Sequence, residues 1–291
     1  MSHPGSVSGP ARATGRTKVV VLGNEKGGTG KSTTAMHLII GAMREGARVG
    51  SIDLDSGQAS LSRYIANRRE FADENGVALI MPEHHRLVLS QDDSRSRAGD
   101  EDKGRLIREI KRLSQANDIV FIDTPGGDTD IGRTAIRFAD TLVTPINDSL
   151  IDLDLIARLE GDPPEPVGPS RFSEKVWEAR KERASDGLGP IDWVVLRNRV
   201  STLASRNRQA IEAALDELSG RFGFRVATGF GERVVFRELF LQGLTVLDLR
   251  ESGTNVPLNM SHIAARREVR RLLEFIGLVD FGDELEQAAS S

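Results

Sequence analysis

Lys26-Gly27-Gly28-Thr29-Gly30-Lys31-Ser32-Thr33 is the stretch that decides the fold. An apolar, strand-like run, Lys18-Val19-Val20-Val21-Leu22-Gly23, leads into it, and a helix-like run from Thr34 to Arg44 follows. Strand, glycine-rich turn and helix in that order make a phosphate loop. Glycines let successive backbone N–H groups turn toward one anion, and the helix N-terminus adds partial positive charge. Gly27, Gly28, Thr29, Gly30, Lys31, Ser32 and Thr33 are therefore the candidate nucleotide-binding residues. Lys31 is the cation for the β- and γ-phosphates, and the Ser32 hydroxyl can ligate Mg²⁺. The ordinary motif would start with glycine at position 25, where this chain has Glu25, followed by a second lysine, Lys26.

Working outward, strand-like apolar runs alternate with helix-like runs. The clearest strands are 18–22, 49–54, 119–123, 141–145, 192–196 and 245–249. Helix-like segments include 34–44, 131–139, 172–184, 204–222 and 261–276. This alternation predicts an α/β fold with a mostly parallel, twisted sheet and helices on both faces. Ile119-Val120-Phe121-Ile122 is continuous and apolar, as a strand buried on both faces must be. One ATPase-sized domain is expected over 17–278, between a disordered leader at 1–16 and an acidic tail at 279–291. The polar stretch 92–103 reads as a mobile surface loop. The proline-rich stretch 160–169 reads as neither helix nor central strand.

Two acidic strand ends bear on hydrolysis. Ligands of open α/β sheets sit outside the carboxyl ends of the strands. Ile52-Asp53-Leu54-Asp55 ends one strand, so Asp55 is aimed at the phosphates and Asp53 reads as structural. Phe121-Ile122-Asp123-Thr124-Pro125-Gly126-Gly127 is a Walker B strand. Asp123 joins Ser32 as a metal ligand, and Gly126-Gly127 allows a backbone switch.

Lys26-Gly-Gly-x-Gly-Lys31-Ser-Thr resembles the deviant Walker A motif of the ParA/MinD family of ATPases. That resemblance implies ATP and Mg²⁺ as cofactors. It also implies a homodimer with ATP that falls to monomers with ADP, with catalytic roles for Lys26, Lys31 and Asp55. Lys26 would reach the partner's nucleotide, and Asp55 would orient the attacking water. Asp192-Trp-Val-Val-Leu-Arg-Asn198-Arg199 resembles the family strand that ends beside the adenine, making Asn198 the base contact. Further stretches resemble the division-positioning branch of the family: Gly23-Asn-Glu-Lys26, Asp123-Thr-Pro-Gly-Gly-Asp128, Thr144-Pro-Ile-Asn-Asp-Ser149, Arg237-Glu-Leu-Phe240 and Gly243-Leu-Thr-Val-Leu-Asp-Leu249. The resemblance runs from about 18 to 278. It implies the centromere-binding protein ParB and the tubulin-like FtsZ as partners. A ParA-type partitioning ATPase shares the same chemistry.

Composition narrows the alternatives. The 291 residues include no cysteine, which excludes disulfides, iron–sulfur clusters and thiolate zinc sites. The single tyrosine, Tyr64, argues against a kinase that phosphorylates a terminal tyrosine cluster, and Asp55 with Asp123 argues against a scaffold without turnover. A formal charge of −4 gives no global nucleic-acid signal. Between Arg197 and Arg237, however, eight arginines face four acids. Arg199, Arg206, Arg208, Arg221, Arg225 and Arg233 are the candidates for non-specific DNA contact through phosphates. No apolar run is long enough to span a bilayer, and the acidic tail would be repelled by an anionic membrane. A cytoplasmic, nucleoid-associated protein is expected.

Overall fold

A computed structural model describes residues 16–90, 95–161, 165–200, 206–249 and 259–279. The chain order is β1 (Lys18–Leu22), α1 (Lys31–Arg44), β2 (Val49–Asp53), α2 (Ser60–Asn75), β3 (Glu83–Arg86), α3 (Arg95–Ala116), β4 (Ile119–Asp123), α4 (Asp130–Phe138), β5 (Thr141–Asn147), α5 (Leu150–Leu153), β6 (Ala157–Glu160), β7 (Glu165–Pro169), α6 (Arg171–Ser185), β8 (Asp192–Asn198), α7 (Arg206–Phe222), β9 (Arg225–Thr228), α8 (Val235–Leu241) and α9 (Met260–Phe275).

Seven strands form one sheet in the order β3-β2-β4-β1-β5-β8-β9. Every pairing in it is parallel. The period-2 alternation of side chains explains the apolar runs. Val19 and Val21 of β1 join one core with Leu106 of α3, Ile131 of α4, Val176 of α6 and Leu215 of α7. Val20 and Leu22 join the other core with Leu38 of α1, Leu61 of α2, Leu239 of α8 and Leu272 of α9. The expected α/β fold with helices on both faces is the one observed.

Two local expectations need correction. The 245–249 run is a turn, not a strand. Asp248 is fully buried, and its carboxylate accepts from the Thr245 N–H and hydroxyl, which folds the main chain back on itself. Its neighbours Val246, Leu247 and Leu249 still enter the core, so apolarity alone could not separate turn from strand. The polar stretch 92–103 is not a loop throughout, because 95–103 form the first turns of α3. Glu101 pairs with Arg105 one turn on, and Asp102 is buried and caps the Ser90 N–H. The proline-rich stretch is, as expected, neither helix nor central strand: β6 and β7 form a two-stranded antiparallel ribbon outside the main sheet, with a bulge at Arg158/Leu159. Pro166 and Pro169 are tolerated in such a ribbon, which has only edges. Residues 1–15 of the leader and 280–291 of the tail lie outside the described residues.

Strand β3, Glu83-His84-His85-Arg86, carries no apolar residue and had no sequence signal. It is an edge strand held by β2 alone. Helix α2 also lies outside the elements read from sequence. Its buried residues, Leu61, Tyr64, Ile65 and Arg68, include a polar member that blurs the apolar stripe.

Candidate nucleotide site

The loop between β1 and α1 crosses the carboxyl edge of the sheet. Helices α4, α6 and α9 are capped by the side chains of Thr129, Ser170 and Asn259, whereas α1 has no side-chain cap. Its N-terminal N–H groups are left for an anion. Gly30 is the N-cap residue at φ 90°, and a Cβ there would meet the Asn198 amide at 2.9 Å, so only glycine fits.

A cleft of about 420 Å³ lies over this loop, lined by Gly28, Lys31, Ser32, Asp55, Gln58 and Gly126 among others. Next to it is a cleft of about 450 Å³ lined by Asn198, Phe230, Phe236 and Arg237. Gly30, Thr33, Arg199 and Phe240 line both, so the two form one trough with a polar end and an aromatic end. Asp53 and Asp123, which end β2 and β4, are register partners, and this brings the two acidic strand ends together.

Lys31 is buried, with Nζ donating to the Lys26 carbonyl at 3.1 Å. Burial lowers its pKa, while Asp123 and Asp55 pull it back up. Ser32 Oγ donates to Asp123 Oδ2 at 2.6 Å. Asp123 Oδ1 is buried with no hydrogen-bond partner. Burial pushes this carboxyl up to about 7; Ser32 opposes that shift, and the Asp53 charge adds to it. A carboxylate oxygen without a donor, beside a serine hydroxyl, is a hard-oxygen pair that suits a small divalent cation. Gly126 stands against the loop: a Cβ there would lie 3.7 Å from Gly27 N and 3.9 Å from Lys31 Nζ. Gly127 follows at φ 110°.

Asp55 lines the cleft, and its Oδ1 accepts from the N–H groups of Gly57 and Gln58 at 3.1 and 2.8 Å. Asp53 is wholly buried and bonds only within the fold. Lys26 is turned aside. Its Nζ lies 3.2 Å from Asp152 Oδ1, and Asp152 in turn accepts from Asn147 N–H. Asn198 is buried and committed to protein partners. Its Nδ2 donates to Thr29 O and Thr34 Oγ1, and its Oδ1 accepts from Phe230 N–H. Asn198 thus ties the phosphate loop to β8 while lining the aromatic end of the trough, and its Oδ1, with one donor, keeps a second lone pair.

Three of the described candidate arginines are held in ion pairs. Arg221 pairs with Glu217, Arg225 with Asp192, and Arg233 with Glu268. Arg225 opens β9, at the opposite end of the sheet from the loop, and stacks on Phe275. Arg199 stands at the junction of the two clefts with φ 52°. The side chains of Arg206 and Arg208 lie outside the described residues. Sequence reading missed Asp152 and Lys175. Lys175 bridges Glu25 at the head of the loop to Asp128 just past Gly126-Gly127. Both lie on helices far along the chain, with no local motif to mark them.

The family model described as ATPase MipZ matches residues 18–279. The chain belongs to the MipZ family of ATPases. Among curated proteins, septum site-determining protein MinD of Helicobacter pylori is 30% identical over 155 residues. That match covers 47% of this chain and 57% of MinD, so the MipZ-family chain spans just over half of the relative it matches. Among solved structures, an ATP complex of McdA from Cyanothece superposes with a TM-score of 0.61 at 18% identity, covering 92% of this chain and 99% of that one. MinD of Pyrococcus horikoshii with Mg-ADP gives 0.55 at 18% identity, covering 90% and 98%. MinD in the Aquifex aeolicus MinC:MinD cell division complex gives 0.52 at 17%, covering 89% and 96%. At these identities the superpositions establish the fold. The family match makes the MipZ-family chain an ATPase.

Proposed function

We propose that this ATPase is an ATP-driven dimerisation switch that positions the division plane. ATP lies along the trough, its phosphates at the loop and its base toward Phe230 and Phe236. Lys31 leaves the Lys26 carbonyl for the β- and γ-phosphates. Ser32 and Asp123 would hold Mg²⁺, which would offset charge on the phosphate oxygens. Asp55 orients the attacking water, because phosphoryl transfer depends on positioning more than on a strong base. The Gly126-Gly127 backbone reads the γ-phosphate. The MinD relative's septum-site name and the MinC:MinD cell division complex support the division role.

One observation carries the switch. Lys26 sits inside the phosphate motif yet is held on Asp152 and does not line its own phosphate cleft. A second motif cation that lies off its own phosphate cleft can exchange Asp152 for the facing nucleotide. The ATP dimer then engages ParB, FtsZ and DNA. Arg199, with Arg206 and Arg208 on α7, supplies phosphate contacts; Arg221, Arg225 and Arg233 are left to their carboxylates.

The test is oligomeric state by light scattering with ADP and with a non-hydrolysable ATP analogue. The wild type dimerises with the analogue only, and Lys26→Ala stays monomeric with both. Under the same conditions the analogue-bound form binds unrelated duplexes alike and releases them as salt rises. Normal dimerisation of Lys26→Ala would sink the cross-subunit role, and equal DNA binding with ADP would sink the dimer-made DNA face.

A further inference from the structure

Asp53 has donors on both oxygens. Asp55 N–H donates to Oδ1 at 3.0 Å, and Ser62 N–H and Ser62 Oγ both reach Oδ2 at 2.8 Å. Ser62 lies in the first turn of α2 and also touches a histidine: its Oγ is 2.9 Å from His84 Nε2. On the far side of the ring, His84 Nδ1 is 2.9 Å from Ser51 Oγ. Ser51 and His84 are register partners on β2 and β3, so the sheet itself sets this contact.

The protons in this chain run one way. A carboxylate only accepts, so the single Ser62 hydroxyl proton goes to Asp53. Ser62 Oγ must then accept from the ring, which puts the ring proton on Nε2. Nδ1 is left bare and accepts from the Ser51 hydroxyl. That order belongs to the neutral ring; a charged ring would donate from Nδ1 to the Ser51 oxygen instead. Burial supplies that neutrality: it pushes His84 down to about 4, against the pull of the Asp53 charge. Serine, histidine and aspartate are also the residues of a nucleophilic triad, but here the order is wrong. The serine lies between acid and imidazole and gives its proton to the acid, so no nucleophile is activated.

We propose that Ser62 and His84 are positioning residues for ATP hydrolysis: they fix the Asp53 carboxylate, which holds the main chain at Asp55 and so aims the Asp55 carboxylate at the phosphate cleft. Asp55 lies just past the end of β2: Leu54 N–H still bonds Asp123 O, and Asp55 O accepts from Ala59 N–H. Its own N–H is held by Asp53 alone, and its side chain is occupied with the turn at Gly57 and Gln58. A shift of about 1 Å in a water-positioning group costs roughly a hundredfold in rate. The edge strand β3 thus reaches the reacting centre through His84, Ser62 and Asp53, although none of the three lines the cleft. The inference rests on the reading of Asp55 as the hydrolytic residue.

The test uses the full chain with Mg-ATP, measuring kcat, KM and nucleotide affinity. Ser62→Ala and His84→Leu should lower kcat by about tenfold while leaving KM and ATP affinity within about twofold. His84→Gln, whose amide N–H can replace Nε2–H toward Ser62, should restore most of the rate. Asp55→Ala, run alongside, separates the two readings. If it hydrolyses at the wild-type rate, the role of Asp55 fails, and this inference with it. If it is inactive while Ser62→Ala and His84→Leu are normal, only this inference fails. A loss of kcat that tracks a loss of ATP affinity in all three network variants would mean general loosening and would also overturn it. Nitrogen NMR of the wild-type ring needs no variant: Nε2–H is expected, and Nδ1–H would overturn the proposed chain.

Discussion

Asp123 and Asp248 are both buried carboxylates, and the fold treats them in opposite ways. Asp248 accepts from Arg68 through both oxygens at 2.7 and 2.9 Å, from Arg44 at 2.8 Å, and from the Thr245 N–H and hydroxyl. Burial alone would raise its pKa, but the Arg68 bonds and charge prevail and hold it at about 2. Asp123 has one donor, Ser32, and a bare second oxygen, and burial carries it up to about 7. Burial is the same at both sites, so it cannot be what marks function. The donor inventory differs. The Asp248 cluster is complete within the chain and ties α1, α2 and the 245–249 turn together, whereas Asp123 keeps one oxygen open, the place proposed for Mg²⁺.

The comparison breaks most sharply at Asp248. Asp248→Asn leaves the fully buried Arg68 guanidinium without its counter-charge, and removing one partner of a buried pair costs about 3–5 kcal/mol. Urea unfolding should show this loss in full. Asp123→Asn removes a charge that Lys31 offsets only at a distance and whose second oxygen has no hydrogen-bond partner, so stability should stay within about 1 kcal/mol of wild type. Its hydrolysis rate with Mg-ATP should instead fall by about a hundredfold, because metal and phosphates lose their anchor. Equal destabilisation by the two variants would show that partners do not distinguish the sites.

The same contrast explains what could be read from sequence. The phosphate loop, Asp55 and Asp123 were legible because a local run of residues, strand then glycines then helix, carries the chemistry. The central strands were legible because both of their faces are buried. Asp248 was hidden: its partner Arg68 is 180 residues away, and the turn it makes is written in apolar letters. Strand β3 was hidden because its histidines and charges face polar partners at the sheet edge. Asp152 and Lys175 were hidden for a related reason, since each meets the loop only through the tertiary fold. The ion pairs of Arg221, Arg225 and Arg233 were hidden too, because clustering in sequence says nothing about which carboxylate each guanidinium meets.

The smallest effect concerns the histidines beside the two regions. His37 is enclosed by Tyr64, Phe230 and Phe236 near Asp248, and burial pushes it down to about 4. His84 sits beside Asp53 and is also pushed to about 4 by burial; Asp53 opposes this shift, and His85 and Arg69 add to it. Both rings are neutral in the fold and protonate near 6.5 when unfolded. A depressed histidine pKa means that the unfolded chain takes up the proton first. The stability each ring contributes is therefore whole above about 6.5 and is lost as pH falls toward about 4. Between pH 7 and pH 6 the loss is about 0.5–1 kcal/mol per ring. In His84→Gln one of these contributions is gone, while Asp123, Asp248 and His37 are unchanged. The stability difference between wild type and His84→Gln should therefore shift by about 0.5–1 kcal/mol, against the wild type, when urea unfolding is repeated at pH 6 instead of pH 7. A pH-independent difference would mean that His84 holds its ordinary pKa in the fold, and the one-way proton order assigned to its neighbours would lose its support.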